Sequence, residues 1–290
     1  MTNRLDLSQQ QLSDEEIAKM LLENDNITTL NLSCTTINSN TIKLLAENKT
    51  IANLNLSYTN IGCEEVKILA KNKTITNLNL NHTEIVHHDN KSICECIKAL
   101  SENETIVQLN LSNNCISSKQ IKKLAQMKNL KVLIIAENVF YEQLNDHLLE
   151  LTNIDVLDIS GRIKAMHTLA NFLRHTTVKQ IKADCININY FGIQHDITQA
   201  IVQNKNLIKL HLSGAKFIKA SEKLIKQNKT ILKLITESNV VNKHAKRNFD
   251  NYKKRNKKLT KIMCNCEYFI KDINKIILKY LIEPVIFYDF

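Results

Sequence analysis

The residues best placed for chemistry are two Cys-x-Cys pairs, Cys94-Glu95-Cys96 and Cys264-Asn265-Cys266, the first preceded by His87-His88-Asp89. Thiolates, imidazoles and carboxylates are zinc ligands, but structural zinc sites favour wider cysteine spacing and need a closed set of ligands. On a helix, residues two apart point about 200° away from each other. Cys94 or Cys96 is therefore expected to be a half-buried helix residue, and no metal or cofactor is expected. A second chemistry is cationic. Lys253, Lys254, Arg255, Lys257 and Lys258 form a run that could attract nucleic acid, an anionic membrane or a nuclear-import receptor. Such runs are short and common, and a solvated helix or linker is the preferred reading. Catalysis would need a nucleophile beside a base in a pocket. Only Arg162 stands out, without supporting groups, so no enzymatic activity is expected.

The composition bounds what could position such groups. The chain has 290 residues, of which 43% are hydrophobic and 23% charged, a globular balance. With 4 Gly and 1 Pro, a Gly-rich phosphate loop or a turn-dense β-sandwich is hard to build. Without Trp, and with 5% aromatics, a base-stacking platform is poorly supplied. The net charge is +10, yet Lys243 to Lys261 holds nine basic residues against one acid, Asp250. The body is thus near neutral and the excess sits in one segment. Eight scattered cysteines, and a start without the apolar core of a signal peptide, suggest reduced thiols and a cytoplasmic setting. No apolar run approaches a membrane span.

A repeat dominates everything else. Leu30-Asn31-Leu32-Ser33 recurs at Leu54-Asn55-Leu56-Ser57, Leu78-Asn79-Leu80-Asn81 and Leu109-Asn110-Leu111-Ser112. Weaker copies start at Leu133, Leu157, Ile181, Leu210 and Leu234, and a first at Leu5, so the steps are 25, 24, 24, 31, 24, 24, 24, 29 and 24. The L-x-L half alternates, which predicts a short strand. The second half has helical spacing, as in Ile42, Leu45, Ala46 and Val66, Leu69, Ala70. A polar turn such as Asn48-Lys49-Thr50 leads back to the next strand. A strand and a helix in 24 residues cannot bury an apolar face alone, but stacked copies share a continuous core. The long steps are expected to add residues before or within helices, around His87–Ile93 and Ile188–Asp196.

The pattern I-x-x-L-N-L-S-x-T-x-I-x(4)-I-K-x-L-A resembles a leucine-rich repeat, and its helical half resembles the ribonuclease-inhibitor-like class. The resemblance covers roughly residues 5–240. It implies an α/β solenoid with a curved parallel sheet on the concave face, helices on the convex face, and protein binding as the role. Family members often carry Asn three residues after the second Leu, where it caps backbone groups along the stack. Here that position holds Thr35, Thr59 and Thr83, then Asn114 and Asn138, then Arg162, Ile186 and Ala215, and finally Asn239. Thr can supply part of that bonding and Ile or Ala none, so the units that hold Arg162, Ile186 and Ala215 are expected to be less regular. Proteins of similar repeat class that activate Ran use an arginine, but nothing around Arg162 matches their motif. The tail is too short for the ubiquitin-ligase domain of some bacterial repeat proteins. The Asn-, Lys- and Ile-heavy composition and the repeat type resemble effector-like proteins of intracellular bacteria, which implies a host partner and delivery into a host cell.

The domain reading is a solenoid over residues 1–242 and a basic, amphipathic helical cap or tail over 243–290. Ser13-Asp14-Glu15-Glu16 predicts a capping box opening the first helix. Ile262, Cys266, Phe269, Ile270, Ile273, Ile277 and Leu281 recur at helical spacing, which predicts a closing helix ending near Pro284. By strand register, the concave face presents Asn31, Asn55, Asn79 and Asn110, then Val132, Ile134, Val156 and Asp158, then Lys182, Lys209, His211 and Lys233. The face runs from amide to apolar to basic. The asparagines either meet a partner or bond to each other between strands. The valines and Ile134 are expected to form an exposed apolar patch. The leading expectation is a monomeric scaffold that binds a protein partner through this face. The alternative is localisation of the protein by residues 243–290 on nucleic acid or an anionic membrane.

Overall fold

The computed structural model describes residues 3–235 except 11, 84, 86–89, 139–143, 162–165, 185–190, 213–218 and 232, and beyond them residues 247, 250, 251 and 254. Strands and helices alternate as β1 (Arg4–Asp6), α1 (Asp14–Glu23), β2 (Thr29–Asn31), α2 (Ser39–Glu47), β3 (Asn53–Asn55), α3 (Cys63–Leu69), β4 (Asn77–Asn79), α4 (Asn90–Ser101), β5 (Gln108–Asn110) and α5 (Ser118–Leu124). They continue as β6 (Val132–Ile134), α6 (Leu144–Leu149), β7 (Val156–Asp158), α7 (Met166–His175), β8 (Gln180–Lys182), α8 (Phe191–Gln203), β9 (Lys209–His211), α9 (Lys219–Ile225) and β10 (Lys233–Ile235). The ten strands form one parallel sheet in chain order. Each helix packs on the next, from α1 on α2 to α8 on α9. This is a leucine-rich-repeat solenoid, with the sheet on the concave face and helices on the convex face.

Register follows the first leucine of each repeat. Leu30 lies beside Leu54, Leu54 beside Leu78, and Leu78 beside Leu109 despite the 31-residue step between the last two. The two long units hold the longest helices, α4 with 12 residues and α8 with 13. As expected, the added residues lengthen the convex side and leave the strand pitch alone. Both leucines of L-x-L and the helical apolar positions are buried, for example Leu30, Leu32, Ile42 and Leu45. Burying such a side chain contributes roughly 1.5–3 kcal/mol, and each layer supplies several. The predicted capping box is present: Glu16 N donates to Ser13 Oγ at 3.2 Å and Ser13 N donates to Glu16 Oε2 at 2.7 Å.

Two sets of buried polar side chains tie each repeat to its neighbour. The first sits after the strands. Thr59 Oγ donates to Leu56 O at 2.6 Å, and Thr35 and Thr83 do likewise to Leu32 and Leu80. Asn138 reaches further: its Nδ2 donates to Leu111 O and Ile135 O, while its Oδ1 accepts from the N–H groups of Asn114 and Ile116. Thr therefore serves its own turn where Asn also bridges two repeats. The second set lies at the helix-to-strand turns, where sequence reading saw only a polar connection. Asn72 Nδ2 donates to Leu45 O, Ala46 O and Asn48 O, and its Oδ1 accepts from Thr74 N and Ile75 N. Asn103, Asn204 and Asn228 repeat the arrangement.

Between strand and helix the chain passes through a left-handed residue in successive repeats. Gln9, Cys34, Tyr58, His82, Asn113 and Glu137 have φ between 51° and 60°. The N–H of each donates to a carbonyl of the following repeat, as from Tyr58 to Asn81 at 2.9 Å. At the next such position, Gly161 has φ +119°, and a Cβ there would lie 2.9 Å from Glu137 N.

Candidate protein-binding face

The strands place two rows of side chains on the concave face. The first row runs Thr29, Asn53, Asn77, Gln108, Val132, Val156, Gln180 and Lys209, and the second Asn31, Asn55, Asn79, Asn110, Ile134, Asp158, Lys182 and His211. In-register parallel strands are about 4.8 Å apart, so side chains within a row press against one another.

That crowding revises three expectations. The asparagines of the second row do not form a continuous cross-strand ladder. Asn31, Asn55, Asn79 and Asn110 each accept, through Oδ1, the N–H two residues on, at 3.0–3.1 Å. Asp158 does the same with Ser160. These are Asx turns that start the exit from the strand. Within this row Asn31 reaches sideways, to Asp6 Oδ1 at 3.0 Å. The cross-strand ladder runs in the first row: Asn53 Nδ2 donates to Thr29 Oγ at 3.2 Å, and Asn77 donates to Asn53. Asn53 and Asn77 are thus polar concave residues that the L-x-L register already offered but that were left out of the candidate set.

The apolar patch is less exposed than expected. Val132 and Val156 keep 6% and 9% of their surface, and only Ile134 is half-buried. Side chains on both flanks, in the same row, cover the valines. The basic end is not a free cationic surface. Lys182 Nζ lies 3.2 Å from Asp158 Oδ2 and 4.0 Å from Asp184 Oδ2. His211 Nδ1 lies 3.5 Å from Asp184 Oδ2, and burial holds its pKa below the ordinary value despite that carboxylate. Lys209 is 2% exposed. The region is a compact network of both charges, made by Asp184, which lies two residues beyond the strand position of Lys182.

Other candidates resolve as follows. Cys96 is fully buried, and its thiol meets that of Cys63 from the neighbouring helix. Burial pushes both thiols up, so they are poor nucleophiles at neutral pH. Among the described residues no group of three or more His, Cys, Asp and Glu side chains is set to hold a metal ion, and no described helix is long and apolar enough to cross a membrane. Lys254 is exposed. Lys253, Arg255, Lys257, Lys258, the Cys264–Cys266 pair, the closing helix, Arg162, His87-His88-Asp89, and the side chains of Cys94 and Lys233 lie outside the described residues.

One surface feature was not anticipated. At the rim where strands turn into helices, the rings of Tyr58 and His82 stack with centroids 4.7 Å apart and planes at 24°. Both occupy the left-handed position of adjacent repeats, and Tyr58 is 53% exposed. The signal was present in the sequence, since both residues follow the strand at the same offset, but the offset had no assigned conformation.

No family model matches the chain, and no curated protein matches it. Solved structures similar to it include an internalin of Listeria monocytogenes, at 15% identity and a TM-score of 0.49, over 81% of this chain and 73% of that one. Internalin C2 of the same organism gives 18% identity and a TM-score of 0.41, over 80% of each chain. The tropomodulin C-terminal domain of Caenorhabditis elegans gives 18% and 0.42, over 58% of this chain and 98% of that one. These similarities assign no role to any residue of this chain.

Proposed function

We propose that the chain is a non-enzymatic, monomeric scaffold that binds a partner protein through its concave face. One observation carries this reading: ten in-register strands present two continuous rows of side chains whose chemistry changes along the array, from amides to aliphatics to paired charges. Such a surface offers a partner several different contacts at fixed spacing, and few anchors carry most of the energy in protein interfaces. Ile134 is the best anchor, because it is aliphatic, half-buried and placed between Asn110 and Asp158. The helical convex side fits the ribonuclease-inhibitor-like class.

The test is affinity capture from a cell lysate with the full chain and with Ile134→Arg, alongside a convex-face control, Lys43→Glu. Partners retained by the control and lost from Ile134→Arg, with unchanged circular dichroism, support the concave reading. Identical partner sets for all three proteins reject it.

A further inference from the structure

We propose that the strand-to-helix rim of the second to fifth repeats is a binding site for an uncharged saccharide, separate from the concave face. A shallow groove of about 360 Å³ runs along this rim, fronted by Cys34, Thr36, Tyr58, Asn60, His82 and Asn113. That volume lies at the small end of the range for ligand sites. Its back wall is closed by Thr35, Thr59 and Thr83, whose hydroxyls are spent on strand carbonyls.

The aromatic pair defines the ligand. Ring centroids 4.7 Å apart match the strand spacing, so the rings face each other along the solenoid axis. One face of Tyr58 is taken by His82. The opposite face looks along the axis toward Cys34, the small residue at the same position of the preceding repeat. The site is also rigid, because the N–H groups of Cys34, Tyr58 and His82 each bond a carbonyl of the following repeat at 2.9 Å.

The remaining chemistry selects among flat ligands. Among the described residues no Lys, Arg, Asp or Glu lines the groove, so these residues give a phosphate or a guanidinium no fixed counter-charge. The hydroxyls of Thr36 and Tyr58 make no hydrogen bond among the described residues, while Asn60 Oδ1 accepts from Ile37 N at 2.8 Å and leaves its NH₂ to the groove. A sugar ring fits both demands. Its C–H face packs on the tyrosine ring, and its hydroxyls meet amide and hydroxyl groups that both donate and accept.

Saturation-transfer NMR on the full chain tests this with glucose, galactose, mannose, N-acetylglucosamine and their β-linked disaccharides at millimolar concentration, and with adenosine as a planar, base-bearing control. Transfer to ring C–H protons of at least one saccharide is expected, with loss in Tyr58→Ala and retention in Tyr58→Phe. Both changes are at an exposed side chain, and circular dichroism confirms that each variant is folded. No transfer from any saccharide overturns the proposal. So does transfer that survives Tyr58→Ala, or transfer from adenosine alone. Ile134→Arg is expected to leave the signal intact, which separates this site from the concave face.

Discussion

The helix-to-strand turns of the outer repeats and those of the middle repeats do the same job with opposite chemistry. At the outer turns a buried asparagine bridges two repeats: Asn72, Asn103, Asn204 and Asn228 each satisfy carbonyls of the preceding unit and N–H groups of their own. In the middle, the corresponding positions are Met127 and Leu151, both 2% exposed and apolar, followed by His175, which is exposed. The array is thus held by hydrogen bonds at these four asparagines and by packing at Met127 and Leu151. A carboxamide fixes its partners at defined distances and directions, whereas an aliphatic side chain tolerates more than one arrangement. The concave surface changes at the same place, from the amide ladder Thr29–Asn53–Asn77 to Val132 and Val156.

The largest expected effect comes from exchanging the two solutions. Asn72→Met puts the side chain of the middle turn into an outer one and removes five hydrogen bonds. Leaving several buried backbone groups unsatisfied should cost about 3–5 kcal/mol in denaturant unfolding. A loss below about 1 kcal/mol would show that packing alone suffices at both kinds of turn.

Next comes Asn138→Thr, which tests whether the single-turn bond of Thr59 can stand in for the bridging one. It gives up the acceptor for Asn114 N and Ile116 N, so roughly 2–3 kcal/mol should be lost. The matching change in the first repeats, Thr59→Val, removes one bond and should cost about 1–2 kcal/mol. Equal effects for the two variants would erase the distinction between them.

Gly161→Ala probes the turn at the far side of the apolar centre. Its φ of +119° and the 2.9 Å approach of Glu137 N leave a Cβ no room, and about 2 kcal/mol should be lost on thermal or chemical unfolding. Six other repeats manage this turn with side chains at φ below 61°, so a neutral Gly161→Ala would mean that the backbone can relax into their conformation.

The smallest effect is at the first strand. Asp6 accepts from the Ser8 hydroxyl and amide and from Asn31, and its pKa falls from 3.8 to about 2. A lowered carboxyl pKa contributes stability above the unfolded value and loses it as pH falls from about 3.8 to about 2. Asp6→Asn should therefore flatten the acid limb of the stability curve slightly, since the group is solvent-exposed and screened. An unchanged acid limb in this variant would remove Asp6 from the account of acid sensitivity.

Much of this architecture was legible in the residues. The ten first positions of the repeats, nine leucines and Ile181, are the ones the strands align, the capping box at Ser13 forms, and the two long steps lengthen α4 and α8. The candidate face was legible only as one set of outward residues. Which row would form a ladder, that Lys182 would be held by Asp158 and Asp184, and that Val132 would be covered were not.

The physical division is clear. Period, strand, helix and core follow from hydrophobic spacing inside one repeat, because burial is non-directional and each unit poses the same problem of an uncovered apolar face. The sequence by itself therefore determined the solenoid. Hydrogen bonds and ion pairs are directional and short-ranged, and most of those that matter here join residues 24 to 33 positions apart, such as Asn53 with Thr29 and Asn103 with Ala70. Their partners become neighbours only after stacking, so the tertiary structure alone decided which asparagines brace the fold and which side chains remain for a ligand.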